Sequence, residues 1–180
     1  MKLSLHLQIA DDLTKVELPK KNQFKLWVLS ALDLAFAKGS ADMHLSLSSP
    51  ARKLSDIKTP LELTLRLITE AESAQLNVSY RHKSGPTNVL SFPYDDDFLP
   101  GQTFYLGDLA ICAPLVLKEA MQQQKPAQAH WAHLTVHGVL HLLGFDHEQE
   151  AEALVMEALE TQVLQQLGYA DPYTVHHFLL

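Results

Sequence analysis

The sequence predicts an α+β fold, a single domain in which a small mixed sheet of about four strands packs with helices. Short stretches in which apolar and polar residues alternate predict strands, and longer stretches with apolar residues at helical spacing predict helices. The predicted order is strand, helix, strand, helix, two strands and then helices, which is typical of an α+β domain. A chain of 180 residues usually forms one domain with a single core. We therefore expect residues 1–180 to form one domain.

Spacing of apolar residues predicts two strands and two helices in the first half of the chain. Leucines and isoleucine alternate with polar residues at 3–9 and 61–67, which predicts two half-buried strands. Apolar residues at helical spacing predict a first helix at about 20–38, between a proline and a glycine. Thr69 heads a capping-box pattern, so a short second helix should begin there and end near Asn77.

The segment 40–59 interrupts this pattern. It combines several serines with Pro50 and the basic residues Arg52, Lys53 and Lys58. We interpret it as a loop insertion. Its basic residues could add an RNA contact, although a solvated loop is the simpler interpretation.

Two strands and three helices are predicted in the second half. The strands are expected at 89–92 and 106–112, and Pro114 begins a helix of about two to three turns. The next helix opens at Pro126 and runs to Gly144. A final helix is expected at about 150–167.

Composition places the chain among globular proteins of the cytoplasm. Hydrophobic residues make up 47% and charged residues 19%, which excludes a disordered or fibrous class. No apolar run approaches the ~20 residues that span a bilayer, and the first ten residues lack the features of a signal peptide. The single cysteine, Cys112, excludes an internal disulfide and suits a reducing compartment. We expect a cytoplasmic protein without a membrane partner.

The net charge of the chain does not indicate a protein that binds nucleic acids over a broad surface. The formal net charge is −7, whereas such proteins usually carry a basic face. Any contact with RNA must therefore depend on a few local cations.

The histidines predict a metal site. Five of the ten histidines lie between residues 130 and 147. His137 and His141 are four apart and share one face of a helix. Gly144 can end that helix and turn the chain, so that His147 approaches the same ion. Three imidazoles leave a fourth position open, which is typical of catalytic zinc, although nickel, copper or iron could occupy such a site.

Two further histidines extend the same stripe. His133 precedes the first predicted ligand, His137, by about one helical turn, and His130 precedes it by about two. We expect them on the solvated side of the helix or behind the ligands, without direct contact with the metal.

A peptidase is the first alternative for this spacing. The pattern equals that of the metzincin peptidases except that their general-base glutamate, directly after the first histidine, is replaced by Gly138. Loss of a general base typically costs ~10²–10⁴-fold in rate. A glutamate introduced at position 138 is expected beside the metal, yet the glycine indicates chemistry other than peptide cleavage.

Four segments outside the histidines share the pattern of one known family. They are 76–81, 86–93, 106–112 and 167–173. With the histidines, these segments resemble the YbeY family over nearly the whole chain. Members of that family are single-strand-specific endoribonucleases that act in bacterial ribosomal RNA maturation and ribosome quality control. Only the segment 40–58 departs, because it is longer than the corresponding connection.

The resemblance implies a function for particular residues. It implies one zinc ion per chain on His137, His141 and His147, and a functional arginine at Arg81. The substrate would be single-stranded RNA, especially ribosomal RNA, and ribosomal proteins are potential partners. Arg81 could hold a phosphate in bidentate fashion, or it could be a surface arginine in a basic turn.

Other residues and questions stay open. Asp146 could cap a helix or orient a histidine, Asp108 needs a partner if it is buried, and Cys112 is best explained as a small buried hydrophobe. A non-catalytic ribosome-associated zinc protein is the second alternative. The sequence indicates neither the general base nor the oligomeric state.

Overall fold

The structure is a computed structural model that describes residues 2–37, 60–94, 103–147 and 149–174. The predicted loop insertion at 40–59, with Arg52, Lys53 and Lys58, lies outside the described residues and stays a prediction. The prediction that residues 1–180 form a single domain also stays a prediction.

Four strands and five α-helices make up the described part of the chain, together with a 3₁₀ turn at Asp11–Leu13. The elements are β1 (Leu3–Ile9), α1 (Lys21–Ala37), β2 (Leu61–Ile68), α2 (Glu70–Arg81), β3 (Val89–Pro93), β4 (Phe104–Cys112), α3 (Ala113–Gln122), α4 (Ala127–Leu142) and α5 (Glu150–Gln166). Within the described residues no helix is long and apolar enough to cross a membrane.

The strands form one mixed sheet in the order β1-β2-β4-β3. β1 pairs parallel with β2, and β2 pairs parallel with β4. β3 is antiparallel to β4 and lies at the edge of the sheet among the described strands. The predicted α+β class, with a small mixed sheet of about four strands, is confirmed.

Helix α4 lies at the centre of the packing. It contacts α1, α3 and α5 as well as β3 and β4. Its side chains Trp131, Val136 and Leu140 belong to the main hydrophobic core, which also contains the leucines of β1 and β2. Burial of this helix among five other elements explains why its sequence is apolar on most sides, and His133, His137 and His141 lie on the face that is only partly buried.

The predicted end of α2 is wrong by four residues, because the helix continues to Arg81. His82 takes the left-handed conformation (φ 57°) that usually calls for glycine, and its N–H donates to the backbone oxygen of Asn77. The Asn77 side chain is buried and donates to the carbonyl of Gly85 at 2.8 Å. Asn77 therefore anchors the loop after the helix and does not end the helix.

Candidate metal centre

His137, His141 and His147 come together as the sequence predicts. α4 ends at Leu142, and Gly144 takes a positive φ of 86° that turns the chain back. The Nε2 atoms of His137 and His141 are 3.1 Å apart. One ligand atom from each of the three histidines lies within 4.8 Å of the others. This cluster could hold a metal ion.

The charge state of His141 suits a ligand. Burial, followed by the neighbouring imidazoles of His137 and His147, lowers the pKa of His141 to about 4. A neutral imidazole has a lone pair to offer, and an imidazolium has none. The site therefore favours the protonation state that a metal requires.

Glu160 of α5 lies behind His137, and the sequence analysis did not single out this carboxylate. Its Oε1 lies 2.8 Å from Nδ1 of His137. Because a carboxylate only accepts, the proton is on Nδ1 and the lone pair is on Nε2, which faces His141. A carboxylate behind a histidine ligand is the usual arrangement that fixes its tautomer and ring orientation.

Glu160 is itself held by two further groups. Its Oε2 accepts from Nε2 of His133 at 2.7 Å and from the hydroxyl of Tyr173. Glu160 is fully buried, which by itself would favour the neutral acid. Hydrogen bonds from His133 and His137 outweigh that burial and lower the pKa of Glu160 to about 2. The contacts of Glu160 with His133 and His137 hold both imidazole rings in place.

His130 belongs to a separate hydrogen-bond group. It is buried, which excludes the solvated position that the sequence suggested. Its ring packs against that of His133, on the side away from the three candidate ligands. Its Nε2 lies 2.7 Å from Oε2 of Glu119, and the Asn88 amide donates to both oxygens of the same carboxylate. Burial is the main reason that the pKa of His130 is lowered.

Arg81 is the last residue of α2, and its side chain contacts the edge strand β3, which packs against α4. Its Nη2 donates to the carbonyl of Ser91 in β3 at 2.9 Å. The Ser91 hydroxyl in turn donates to the carbonyl of Gly138 at 3.1 Å, next to His137 in sequence. The side chain of Arg81 is exposed, as are His82 and Lys83 in the following turn. Two hydrogen bonds thus connect the guanidinium to the helix that carries the histidines.

Gly138 faces the sheet, which contradicts the expectation that a glutamate there would lie beside the metal. A Cβ at this position would lie 2.9 Å from a methyl group of Leu109 and 3.3 Å from one of Val89. Residue 138 points into the core while residue 137 points to the cluster, since neighbouring helical residues face different directions. The glycine allows α4 to pack closely on β3 and β4, and a larger residue would require the Leu109 side chain to shift.

The remaining predicted residues lie outside the cluster. Asp146 accepts from the backbone N–H of His147 at 2.8 Å, so it stabilises the turn and not a histidine ring. Asp108 is exposed and accepts from the Tyr105 hydroxyl. Cys112 is fully buried, as expected of a small hydrophobe.

The fold and the cluster define a class of protein. Three histidines from one helix and the following turn, with a buried carboxylate behind the first, form the type of site that metal-dependent hydrolases use. The small mixed sheet supports the helix that bears two of the histidines.

The chain belongs to the YbeY family of endoribonucleases, and it is a hydrolase that acts on RNA. The family model described as "Endoribonuclease YbeY" matches residues 9–168. An endoribonuclease YbeY from Nitrosococcus oceani is 45% identical over 174 residues, which cover 96% of this chain and 98% of that protein. A solution structure of TM1509 from Thermotoga maritima is similar to this chain with 18% identity and a TM-score of 0.48, and the match covers 95% of this chain and 99% of the TM1509 chain.

Proposed function

We propose that this protein is a zinc-dependent endoribonuclease that hydrolyses single-stranded RNA, with ribosomal RNA as its natural substrate. It would act in the cytoplasm, in ribosomal RNA maturation and ribosome quality control, and ribosomal proteins are its expected partners. The observation that carries the proposal is the convergence of His137, His141 and His147, with His137 oriented by Glu160. We also propose that residues 1–180 form one domain.

The donor set fits zinc. Nitrogens bound to a tetrahedral zinc at ~2.0–2.1 Å lie roughly 3.3 Å apart, and the Nε2 atoms of His137 and His141 are 3.1 Å apart. Nitrogen ligands suit zinc better than they suit magnesium or calcium, which prefer oxygen. We propose His137, His141 and His147 as the ligands. Zinc supplies a water of lowered pKa and polarises a phosphoryl oxygen.

The protein's own contribution begins with Glu160, which holds His137 in the tautomer whose Nε2 can bind the metal. His133 and Tyr173 hold Glu160 in turn, so the ligand cannot rotate freely. A carboxylate placed this way also raises the basicity of the imidazole. The preorganised cluster therefore costs little reorganisation when metal binds.

Arg81 is proposed to bind the phosphate at the cleavage site. A guanidinium has five N–H donors in a planar fork, and among the described residues Arg81 directs a hydrogen bond to Ser91. The remaining donors can hold two phosphate oxygens and offset the charge that develops in the transition state. The exposed position at the end of α2 suits a long polymeric substrate.

The contacts support neither of the two alternatives, a metzincin-like peptidase and a non-catalytic zinc protein. A metzincin-like peptidase needs a general-base glutamate after the first histidine, and that position is Gly138, where a Cβ would face Leu109 and Val89 of the sheet and not the cluster. A non-catalytic zinc protein would normally surround the metal with four protein ligands. The cluster among the described residues contains three.

One experiment tests the proposal. Metal content is measured on the purified protein, and cleavage is then assayed on single-stranded RNA, duplex RNA and casein. We expect about one zinc per chain, cleavage of single-stranded RNA, and loss of cleavage after chelation that added zinc restores. Hydrolysis of casein, or RNA cleavage that persists after complete metal removal, would contradict it.

A further inference from the structure

Tyr80, near the end of α2, is a large side chain that the fold leaves exposed. It lies three residues after Asn77 and four after Leu76, so helical spacing directs it to the same face of α2. Asn77 is buried and Leu76 packs against the buried cluster that contains Leu90, but Tyr80 is 62% exposed. Aromatic residues on the sheet-facing side of a helix are normally covered. The exposure of Tyr80 therefore indicates a surface that a ligand can occupy.

The ring of Tyr80 is supported by a second aromatic ring. It packs against Phe92 of β3, with the two ring centroids 5.0 Å apart and an angle of 73° between the planes. This edge-to-face geometry is favourable for aromatic pairs. At 62% exposure the Tyr80 ring still presents a face to solvent. A side chain that is already held in place loses little conformational freedom when a flat ligand stacks on it.

The surroundings of Tyr80 on its own segment are basic. Arg81 follows it directly, and Lys83 is exposed in the next turn. The sequence contains no acidic residue between 73 and 83. An exposed aromatic ring beside cations is the combination that single-stranded nucleic acids bind, because the cations contact the phosphates and the ring contacts a base. In a chain with a net charge of −7, this local arrangement is suited to RNA.

The edge strand β3 connects Tyr80 to the helix that carries the histidines. Side chains of neighbouring strand residues point to opposite faces of a sheet. Phe92 therefore meets Tyr80 on the α2 side, whereas Ser91 donates to the carbonyl of Gly138 on the α4 side. The guanidinium of Arg81 reaches the carbonyl of Ser91 in the same strand. An RNA strand whose phosphate is held at Arg81 can thus extend to the metal cluster on one side and to Tyr80 on the other.

We propose that the exposed face of Tyr80 stacks one base of the single-stranded RNA substrate, an inference that rests on the proposed function. In a duplex each base is covered by the bases above and below it, so its flat face is not available to a side chain. Tyr80 therefore favours single strands over duplexes. It does not choose among the four bases, because each of them has a π face. Tyr80 is a binding residue that selects the form of the RNA and not its sequence.

Fluorescence titration of a short labelled RNA on the zinc-loaded full chain tests the proposal. The RNA carries phosphorothioate linkages that resist hydrolysis, and it is compared as a single strand and as a duplex. Tyr80→Leu keeps an apolar side chain but removes the aromatic face, and Tyr80→Phe keeps the ring. Val78→Ala is the control, because it changes another exposed apolar residue of α2.

We expect Tyr80→Leu to weaken binding of the single strand by roughly tenfold, the usual size of the effect when one stacking ring is removed. Tyr80→Phe and Val78→Ala should bind the single strand like the parent protein. Affinity for the duplex should be the same in all four proteins. Circular dichroism and zinc content check that each variant is folded.

Photocrosslinking of the parent protein tests the same contact without a variant. A single strand that contains iodouridine forms crosslinks with aromatic side chains on which the base stacks. After digestion with trypsin we expect the crosslink in the peptide 67–81, in which Tyr80 is the one aromatic residue. If Tyr80→Leu does not fold, this measurement decides.

Unchanged affinity for the single strand in Tyr80→Leu, an equal loss for single strand and duplex, or crosslinks confined to other peptides would overturn the proposal. Stacking on Tyr80 without cleavage of ordinary RNA would refute the proposed function and leave the base site standing. Zinc-dependent cleavage with full single-strand affinity in Tyr80→Leu and no crosslink in 67–81 would refute the base site alone.

Discussion

His141 is the residue on which the proposed ligand set is most easily tested. Its Nε2 faces that of His137, and its surroundings favour the neutral imidazole. We expect His141→Ala to lose most of the roughly one zinc per chain, because two histidines alone bind zinc weakly. His6→Ala, which removes an exposed histidine of β1, should keep it. Elemental analysis with full zinc retention in His141→Ala would exclude this ligand set.

Three histidines could be predicted from spacing, but Glu160 could not be found in the same way. A ligand pair on one helix follows from the 3.6-residue repeat, and the return of His147 follows from a glycine. Glu160 meets His137 only through the packing of α5 on α4, which no local pattern encodes. One signal was present, because Glu160 lies within the apolar stripe formed by Met156, Leu159 and Val163. A carboxylate buried in such a stripe must have partners.

Arg81 is expected to act on the substrate and not on the metal. We predict that Arg81→Ala lowers the rate of RNA cleavage by roughly 10²–10³-fold, the usual loss on removal of one transition-state donor. Zinc content and the circular dichroism spectrum should be unchanged, since the guanidinium of Arg81 donates to the Ser91 carbonyl and is not one of the candidate ligands. Lys15→Ala, a change at an exposed lysine, is the matched control. Loss of zinc together with activity would show that the arginine has a structural role.

The packing of α5 against α4 places the carboxylate of Glu160 behind the imidazole of His137. We predict that Glu160→Gln weakens zinc binding by about 10–100-fold. Each oxygen of Glu160 accepts from a different histidine, His133 or His137, whereas a glutamine side chain has only one oxygen. Competition with a chromophoric chelator measures the affinity. Glu152→Gln, at an exposed position of α5, should bind zinc like the parent protein. Equal affinities in the two variants would show that the carboxylate does not orient the ligand.

The contact between α4 and the sheet makes a second prediction at this scale. Gly138→Glu forces a carboxylate against Leu109 and Val89, so we expect a loss of stability of roughly 3–5 kcal/mol and no peptidase activity. Met121→Glu places the same group at a position that is 80% exposed and should be nearly neutral. Thermal denaturation and a casein assay measure the two effects. A stable Gly138→Glu variant that cleaves casein would revive the peptidase hypothesis.

Element boundaries show which part of the fold the sequence could predict. Each described strand and α-helix was expected, because alternation and helical spacing are local properties. The end of α2 was predicted near Asn77, four residues too early, and the Asn77 side chain instead donates to the carbonyl of Gly85 in the loop after the helix. Its actual end uses His82 in the left-handed conformation, which few non-glycine residues adopt. The order of strands in the sheet depends on long-range pairing and likewise lies beyond local patterns.

At the scale of the whole molecule, charge determines how the protein meets RNA. The net charge of −7 repels a polyanion over most of the surface, so binding must use a small number of cations. Arg81 and Lys83 are exposed at the end of α2 and in the turn that follows it. Arg52 and Lys53 are further candidates, although they lie outside the described residues. We infer that two to four phosphates are contacted and that binding is local.

This inference predicts only moderate dependence of RNA affinity on salt. Each phosphate contacted on a single strand contributes ~−0.7 to the slope of log affinity against log salt, so two to four contacts give roughly −1.5 to −3. Titration of a labelled single-stranded RNA at several salt concentrations measures the slope. Lys83→Ala should reduce its magnitude by about 0.7, and Lys15→Ala should leave it unchanged. A much steeper slope would indicate an extended basic surface, and no saturable binding at low salt would indicate recruitment through a protein of the ribosome.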